Sequence, residues 1–182
     1  MRHHSPVGLP LLYVIVCAAP PAQDLRLIAP LMREMGWTLC IVPTPDAIPF
    51  LDLDALQHQT PHPIRSAYRR PDEERLPPPD AMLVAPMTYN TVNKWASGIA
   101  DTFALGLLAE TIGDGTTPVV AVPWAKNALT RHPAFSRSLD LLRTCGARLI
   151  TEHAGSPFHH AQQVPTFPWQ AALTAFSRPQ RE

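Results

Sequence analysis

The sequence predicts a single α/β domain: a doubly wound, Rossmann-like, mostly parallel sheet with helices on both faces. Three observations carry that prediction. Five short apolar runs, rich in β-branched residues, alternate with segments of helical periodicity. The runs are continuous rather than alternating in polarity, as strands buried on both faces are. The chain has 182 residues, enough for one domain with a sizeable core.

The elements follow in order. "LLYVIVC" (11–17) reads as the first strand and "AQDLRLIAPLMREMG" (22–36) as a helix. Leu25, Ile28, Leu31, Met32 and Met35 form its apolar face, and Gly36 stops it. "WTLCIVPT" (37–44) is a second strand, and "DAIPFLDLDALQ" (46–57) a weak helix with Pro49 near its start. "AMLVAP" (81–86) is a third strand. "TVNKWASGIADTFALGLLAETIG" (91–113) reads as one long apolar helix, with Trp95, Ile99, Phe103 and Leu107 on one face and Gly98 allowing close packing. "PVVAVP" (118–123) is a fourth strand, "HPAFSRSLDLLRTCG" (132–146) a helix, "ARLI" (147–150) a fifth strand and "WQAALTAFSR" (169–178) a terminal helix. The expected organisation is a flexible N-terminus (1–10), a main domain (11–153) with a Pro-rich loop (59–80), and a C-terminal flap and helix (154–182).

Composition narrows the function classes. Fifteen Lys+Arg balance fifteen Asp+Glu, so the total charge points to neither nucleic acid nor an anionic membrane. The 22 prolines gather in 61–80 and near the C-terminus, where they read as loops. Cys17, Cys40 and Cys145 form no C-x-x-C, which argues for a reducing, cytoplasmic setting and against a disulfide framework or a metal site. The opening "MRHHSPVGLPLLYVIVCAAPPA" has the order of a secretory signal, but the first-strand reading competes and is favoured. No run approaches the ~20 apolar residues of a membrane span.

In such sheets ligands bind beyond the carboxyl ends of the strands. The loops there carry Thr44 after the second strand and Thr88, Asn90 and Thr91 after the third. Hydroxyls and free N–H groups at helix starts suit an anion, although Thr and Asn also serve there as ordinary N-caps. No G-x-G-x-x-G follows the first strand, which weakens a dinucleotide reading.

The stretch "PMTYNTVNKWASGIAD" (86–101) resembles the P-A-S-A-N-T…K-x-A-x-G-I-A-D signature of the flavoprotein family of homo-oligomeric, FMN-containing cysteine decarboxylases. Pro86, Thr88, Asn90, Thr91, Lys94, Ala96, Gly98, Ile99, Ala100 and Asp101 fall on the pattern. "TPDAIPF" fits the family's T-x-x-A-x-x-F through Thr44, Ala47 and Phe50. The resemblance, over roughly Leu11 to Ile150, implies an FMN phosphate at the first two strand ends, near Ala18, Ala19, Thr44, Ala47 and Phe50. It further implies a flavin ring near Pro86, Met87, Thr88, Asn90 and Thr91, and a trimer-based homo-oligomer, up to a dodecamer.

This chain departs from the pattern in places. Ala18, Ala19, Pro20 and Pro21 replace the glycine and hydroxyl residues of the first loop. Asp72 stands where the decarboxylases carry histidine, with His58 and His62 nearby. "PWAKNALTRHP" places Lys126 at the family's asparagine position, followed by Asn127. No cysteine occurs in the flap segment. The resemblance therefore implies an FMN-dependent decarboxylase or oxidative enzyme of secondary metabolism, acting on a small-molecule or peptide carboxylate through Lys126, Asn127 and His62. A flavin-fold partner subunit without catalysis is the alternative, and a prenylating flavin enzyme a weaker one.

Overall fold

Leu11–Val16 (β1) is buried at all six positions, as a strand covered on both faces must be. The same holds for Ala81–Met87 (β3) and Val119–Pro123 (β4), and for Thr38–Pro43 (β2) after its first residue. The structure, a computed structural model, describes residues 8–151, 155–156 and 167–176. The expectations for residues 1–7, for most of the flap and for the end of the terminal helix lie outside the described residues.

A short fifth strand of the sheet, Arg148–Leu149 (β6), completes the order β2-β1-β3-β4-β6, with all pairs parallel. The chain leaves β1 towards β2 on one side and resumes at β3 on the other, so the order reverses between β1 and β3. Helices cover both faces. Leu25–Glu34 (α1), Leu53–Gln57 (α2) and Trp169–Thr174 (α7) pack on the face carrying Leu12, Val14, Val16, Leu83 and Val120. Tyr89–Ala96 (α3), Phe103–Asp114 (α4) and Pro133–Thr144 (α6) pack on the face carrying Tyr13, Ile15, Cys17, Val84 and Ala121.

Several expectations are corrected. The helix 91–113 is two helices. α3 ends at Ala96, Gly98 turns the chain with a φ of +71 in the left-handed region, and α4 begins where the Thr102 hydroxyl accepts from the Leu105 N–H at 3.2 Å. A Cβ on Gly98 would meet nothing within 4 Å, so this glycine serves the turn rather than close packing. Trp95 therefore points inward, donating its indole N–H to the Leu108 carbonyl at 3.0 Å, while Ile99 lies exposed in the connection. The apolar face of α1 is narrower than its periodicity implied. Leu25, Ala29 and Met32 are buried, whereas Leu31 and Met35 are 42% and 39% exposed. Its first turn is 3-10 helix over Pro20–Asp24, since two prolines without N–H groups open it.

The Pro-rich loop is tied at several points. The Tyr13 hydroxyl donates to the Pro77 carbonyl at 2.7 Å, the Leu11 N–H to the Asp80 carboxylate at 2.7 Å, and the Thr60 hydroxyl to the Leu39 carbonyl. Tyr68 lies across α4, its ring 5.4 Å from that of Phe103. A feature absent from the sequence reading is a two-residue parallel pair. Ala125–Lys126 (β5) pairs with Gly155–Ser156 (β7), so the segment after Thr151 returns beside the loop that follows β4.

Candidate functional site

A cavity of about 610 Å³ opens at the carboxyl ends of β1 to β4. That volume lies within the ~300–1,000 Å³ usual for small-molecule sites. The loop after β1 contributes Ala18, Ala19 and Pro20, and the loop after β2 contributes Thr44, Pro45 and Asp46. From β3 and α3 come Thr88, Tyr89, Asn90, Thr91 and Lys94. The start of α4 adds Thr102 and Leu105, and the loop after β4 adds Trp124, Ala125, Lys126 and Leu129.

The hydroxyls are arranged for something other than the backbone. Thr44 and Thr88 occupy N-cap positions, yet neither side chain accepts a capping hydrogen bond. Asp52 and Thr102, by contrast, cap their helices in the usual way, Thr102 from the cavity lining itself. The Thr88 hydroxyl instead lies 3.2 Å from that of Thr91, which lies 3.2 Å from the Cys17 sulfur. Burial pushes the Cys17 thiol up from its ordinary pKa, against the smaller opposing pull of hydrogen bonds from Thr91 and Thr88. Ala18 and Ala19 make no backbone N–H hydrogen bond among the described residues, which leaves two amide donors beside Pro20.

The remaining lining is apolar or cationic. The backbone N–H of Trp124 donates to the Met87 carbonyl at 2.8 Å, joining the ends of β3 and β4. Its buried indole N–H has no hydrogen-bond partner among the described residues. Lys94 forms an ion pair with Asp101 at 2.5 Å, whereas Lys126 is exposed on the rim with no ion pair among the described residues. The site thus combines neutral donors between β1 and β3, an apolar slot of Ala18, Pro20, Leu105, Trp124 and Leu129, the ammonium of Lys126 and the exposed carboxylate of Asp46. Such a set suits a flat heteroaromatic group carrying an anion.

Of the residues expected from sequence, Ala18, Ala19, Thr44, Thr88, Asn90, Thr91 and Lys126 meet at this cavity. Ala47 and Met87 are fully buried behind it, Pro86 is buried in β3 after a cis peptide bond, and Phe50 is half-buried against the core that includes Leu25 and Leu56. Asn127 opens the short helix Asn127–Thr130 (α5), next to the lining but not part of it. His62 does not line the cavity. Its neighbour Thr60 is fixed to Leu39, near the start of β2, so His62 lies towards the amino end of the sheet. Burial lowers the His62 pKa. Asp72 is exposed in the Pro-rich loop. Sequence reasoning missed Trp124 and Leu129 as lining, because their contribution depends on how the loop after β4 folds back.

The Flavoprotein family model matches residues 12–164. A curated relative from an unknown prokaryotic organism, a cysteine/cysteine sulfinic acid decarboxylase, is 36% identical over 76 residues. That match covers 42% of this chain and 20% of the relative, so the chain spans about a fifth of that protein. Among solved structures, the FMN-dependent cysteine decarboxylase TvaF from thioviridamide biosynthesis superposes with a TM-score of 0.67 at 19% identity, covering 92% of this chain and 96% of that one. The cypemycin decarboxylase CypD gives 0.69 at 21%, covering 91% and 90%. A mutant PPC decarboxylase complexed with pantothenoylaminoethenethiol gives 0.65 at 20%, covering 78% and 81%. These likenesses establish the fold.

Proposed function

The chain belongs to the flavoprotein family, and from that premise we propose that it binds FMN and acts as a decarboxylase-like enzyme on a carboxylate-bearing small molecule or peptide. The observation that carries this reading is the pair of N-cap threonines, Thr44 and Thr88, whose hydroxyls line the cavity without capping their helices. The donor set fits the cofactor. Thr88, Thr91 and the amides of Ala18 and Ala19 would hold its phosphate with Thr44, while Trp124, Leu105 and Asn90 would bound its ring. When bound, FMN supplies two-electron oxidation of the substrate.

The chain's own residues do the rest. Lys126, exposed on the rim, gives a carboxylate its charge complement in the position where the family pattern has asparagine. Asn127 follows it at the start of α5 and offers an amide to the same group. Leu105 and Leu129 exclude water from the slot. Within one chain no histidine lines the cavity among the described residues, so proton removal from a thiol has no imidazole there. With Asp72 exposed in the Pro-rich loop at the family's histidine position, a flavin-fold subunit without turnover is the second reading. A trimer-based, cytoplasmic assembly completes the proposal. Among the described residues no helix is long and apolar enough to cross a membrane.

The test is direct. The purified protein should be yellow, and heat should release FMN at about one per chain, identified by mass. A colourless protein that takes up no added FMN overturns the reading. Loss of CO₂ from candidate acids, with anaerobic flavin reduction, separates the enzyme from the inactive subunit.

A further inference from the structure

We propose that Tyr89 is a specificity-determining residue, and that it selects a carboxylate carried on a flat, aromatic group. The inference rests on the FMN-enzyme reading above and deepens it by naming the class of acid.

Tyr89 departs from the pattern in which it sits. P-A-S-A-N-T has alanine at this position, and here a tyrosine stands in the cavity lining. Its ring is held from behind. Phe135 of α6 stacks on it with the planes 14° apart and the centroids 6.0 Å apart. His132, just before α6, meets the same ring at 82° and 6.1 Å. The backbone is tied to that helix as well. The Asn93 amide donates to the Tyr89 carbonyl at 2.9 Å, and the Asn93 side-chain oxygen accepts from the Ser138 hydroxyl at 2.8 Å. Tyr89 is half-buried against the core, so what Phe135 and His132 leave uncovered is what the cavity meets. The Tyr13 hydroxyl has a carbonyl partner, whereas that of Tyr89 has none among the described residues.

The loop after β4 and α5 continue this wall with Trp124, Lys126 and Leu129. The lining's carboxylate and amide enter from elsewhere. Asp46 comes from the loop after β2, and Asn90 shares a face of α3 with Lys94, one turn on, whereas Tyr89 shares one with Asn93 towards α6. The side of the cavity beside α5 thus offers aromatic and aliphatic carbon with one ammonium on the rim. An aromatic acid matches both parts. Its carboxylate meets the Lys126 ammonium, and its ring meets Tyr89 stacked or edge-on, both of which suit the charge distribution of two rings. A saturated acid of the same size gains the apolar contact without that complement.

The experiment loads the protein with FMN, measures flavin per chain, and then titrates benzoate and cyclohexanecarboxylate against the visible absorbance of the bound flavin. The two acids share a charge and nearly a size, and only benzoate is flat and aromatic. Benzoate should bind about threefold or more tightly than its saturated counterpart, the scale of one aromatic pair. Tyr89→Phe should keep that ratio. Tyr89→Leu, which keeps bulk without the ring, should bring it to about one while flavin content stays unchanged. Thermal midpoints identify a variant that fails to fold, and Tyr89→Met then takes the place of Tyr89→Leu. Equal affinities in the unmodified protein, or binding of neither acid, would overturn the proposal. So would a preference that survives in Tyr89→Leu. Loss of flavin from a folded Tyr89→Leu would place the ring against the cofactor and overturn it too. Unmodified protein that takes up no FMN refutes the cofactor reading, and this proposal with it.

Discussion

Trp169 donates its indole N–H to the carboxylate of Asp24 at 3.1 Å, across 145 positions of sequence. The bond fastens α7 to the 3-10 turn that follows β1, whose first residue, Pro20, walls the cavity. Trp169 also packs 4.6 Å from Phe167, which meets Trp124 at 5.4 Å, so the C-terminal helix touches the site from two sides. Asp24→Ala leaves the buried indole without its acceptor. The expected cost is about 1 kcal/mol, because Asp24 is exposed and its carboxylate is well hydrated. Denaturant titration should show a lowered midpoint with unchanged slope. An unchanged midpoint would show that α7 is held by apolar packing alone.

Gly106 and Tyr68 form a second coupled pair. A Cβ on Gly106 would come 2.3 Å from the Tyr68 hydroxyl oxygen, so alanine there displaces the tyrosine from α4. Alanine also raises helix propensity by up to ~1 kcal/mol. Gly106→Ala should therefore change stability little in the native background and stabilise measurably in a Tyr68→Ala background. A double-mutant cycle reads the coupling, and additive effects would mean that Tyr68 makes no useful contact.

Stability should fall on the alkaline side. Burial raises the Cys40 thiol from 9.0 to about 12, and burial likewise raises Cys17 and the Tyr13 hydroxyl. Each group binds its proton more tightly when folded than when unfolded, so its contribution is complete below the unfolded pKa and is lost as pH rises. The decline should begin near pH 9 and continue towards pH 12 for Cys40. Cys40→Ala should flatten the pH dependence between pH 8 and 11, measured by urea unfolding. A flat profile in the unmodified protein contradicts the assignment.

Asn90 is exposed at the cavity and its side chain makes no hydrogen bond among the described residues. Asn90→Ala should leave the thermal midpoint unchanged but weaken FMN retention by roughly tenfold, the effect of one hydrogen bond of ~1.4 kcal/mol. Gel filtration followed by visible spectroscopy decides the point. Full retention with an unaltered spectrum would remove Asn90 from the binding set.

Lys126 and Asp72 should differ sharply in any decarboxylation. Lys126→Ala removes the exposed ammonium on the rim and should lower kcat/KM for an acid substrate by about tenfold or more. Asp72→Ala should have little effect. Little CO₂ loss is expected from a C-terminal cysteine peptide. Rapid turnover of such a peptide would show that a histidine reaches the cavity after all.

Much of this was legible in the sequence, for identifiable reasons. The strands of a parallel sheet are apolar without interruption, and all five fell where such runs occur. The break between α3 and α4 was hidden because Trp95, Ile99 and Phe103 keep a four-residue spacing through the turn. Gly98 and the capping Thr102 were the only local signals, and both are compatible with a helix interior in isolation. The threonine and asparagine part of the cavity was visible because it sits directly after strands. The contributions of Trp124 and Leu129, and the β5–β7 pair, depend on how loops cross, which two-residue segments do not encode. The location of His62 depends on which end of β2 its loop returns to, and Thr60 decides that.

The complete burial of β1 and β3 also divides how this chain can change over evolutionary time. Positions in those strands admit only exchanges among apolar side chains of similar volume, so drift there is slow to alter shape. The loops at the carboxyl end of the sheet bury fewer of their side chains, Ala19, Ala22 and Ala47 among them, and leave others exposed. An exposed residue there, such as Pro20 after β1 or Lys126 after β4, can change without disturbing the layers beneath. The layered core can thus persist while the rest of the sequence changes, as TM-scores of 0.69 at 18% and 21% identity show for two solved structures.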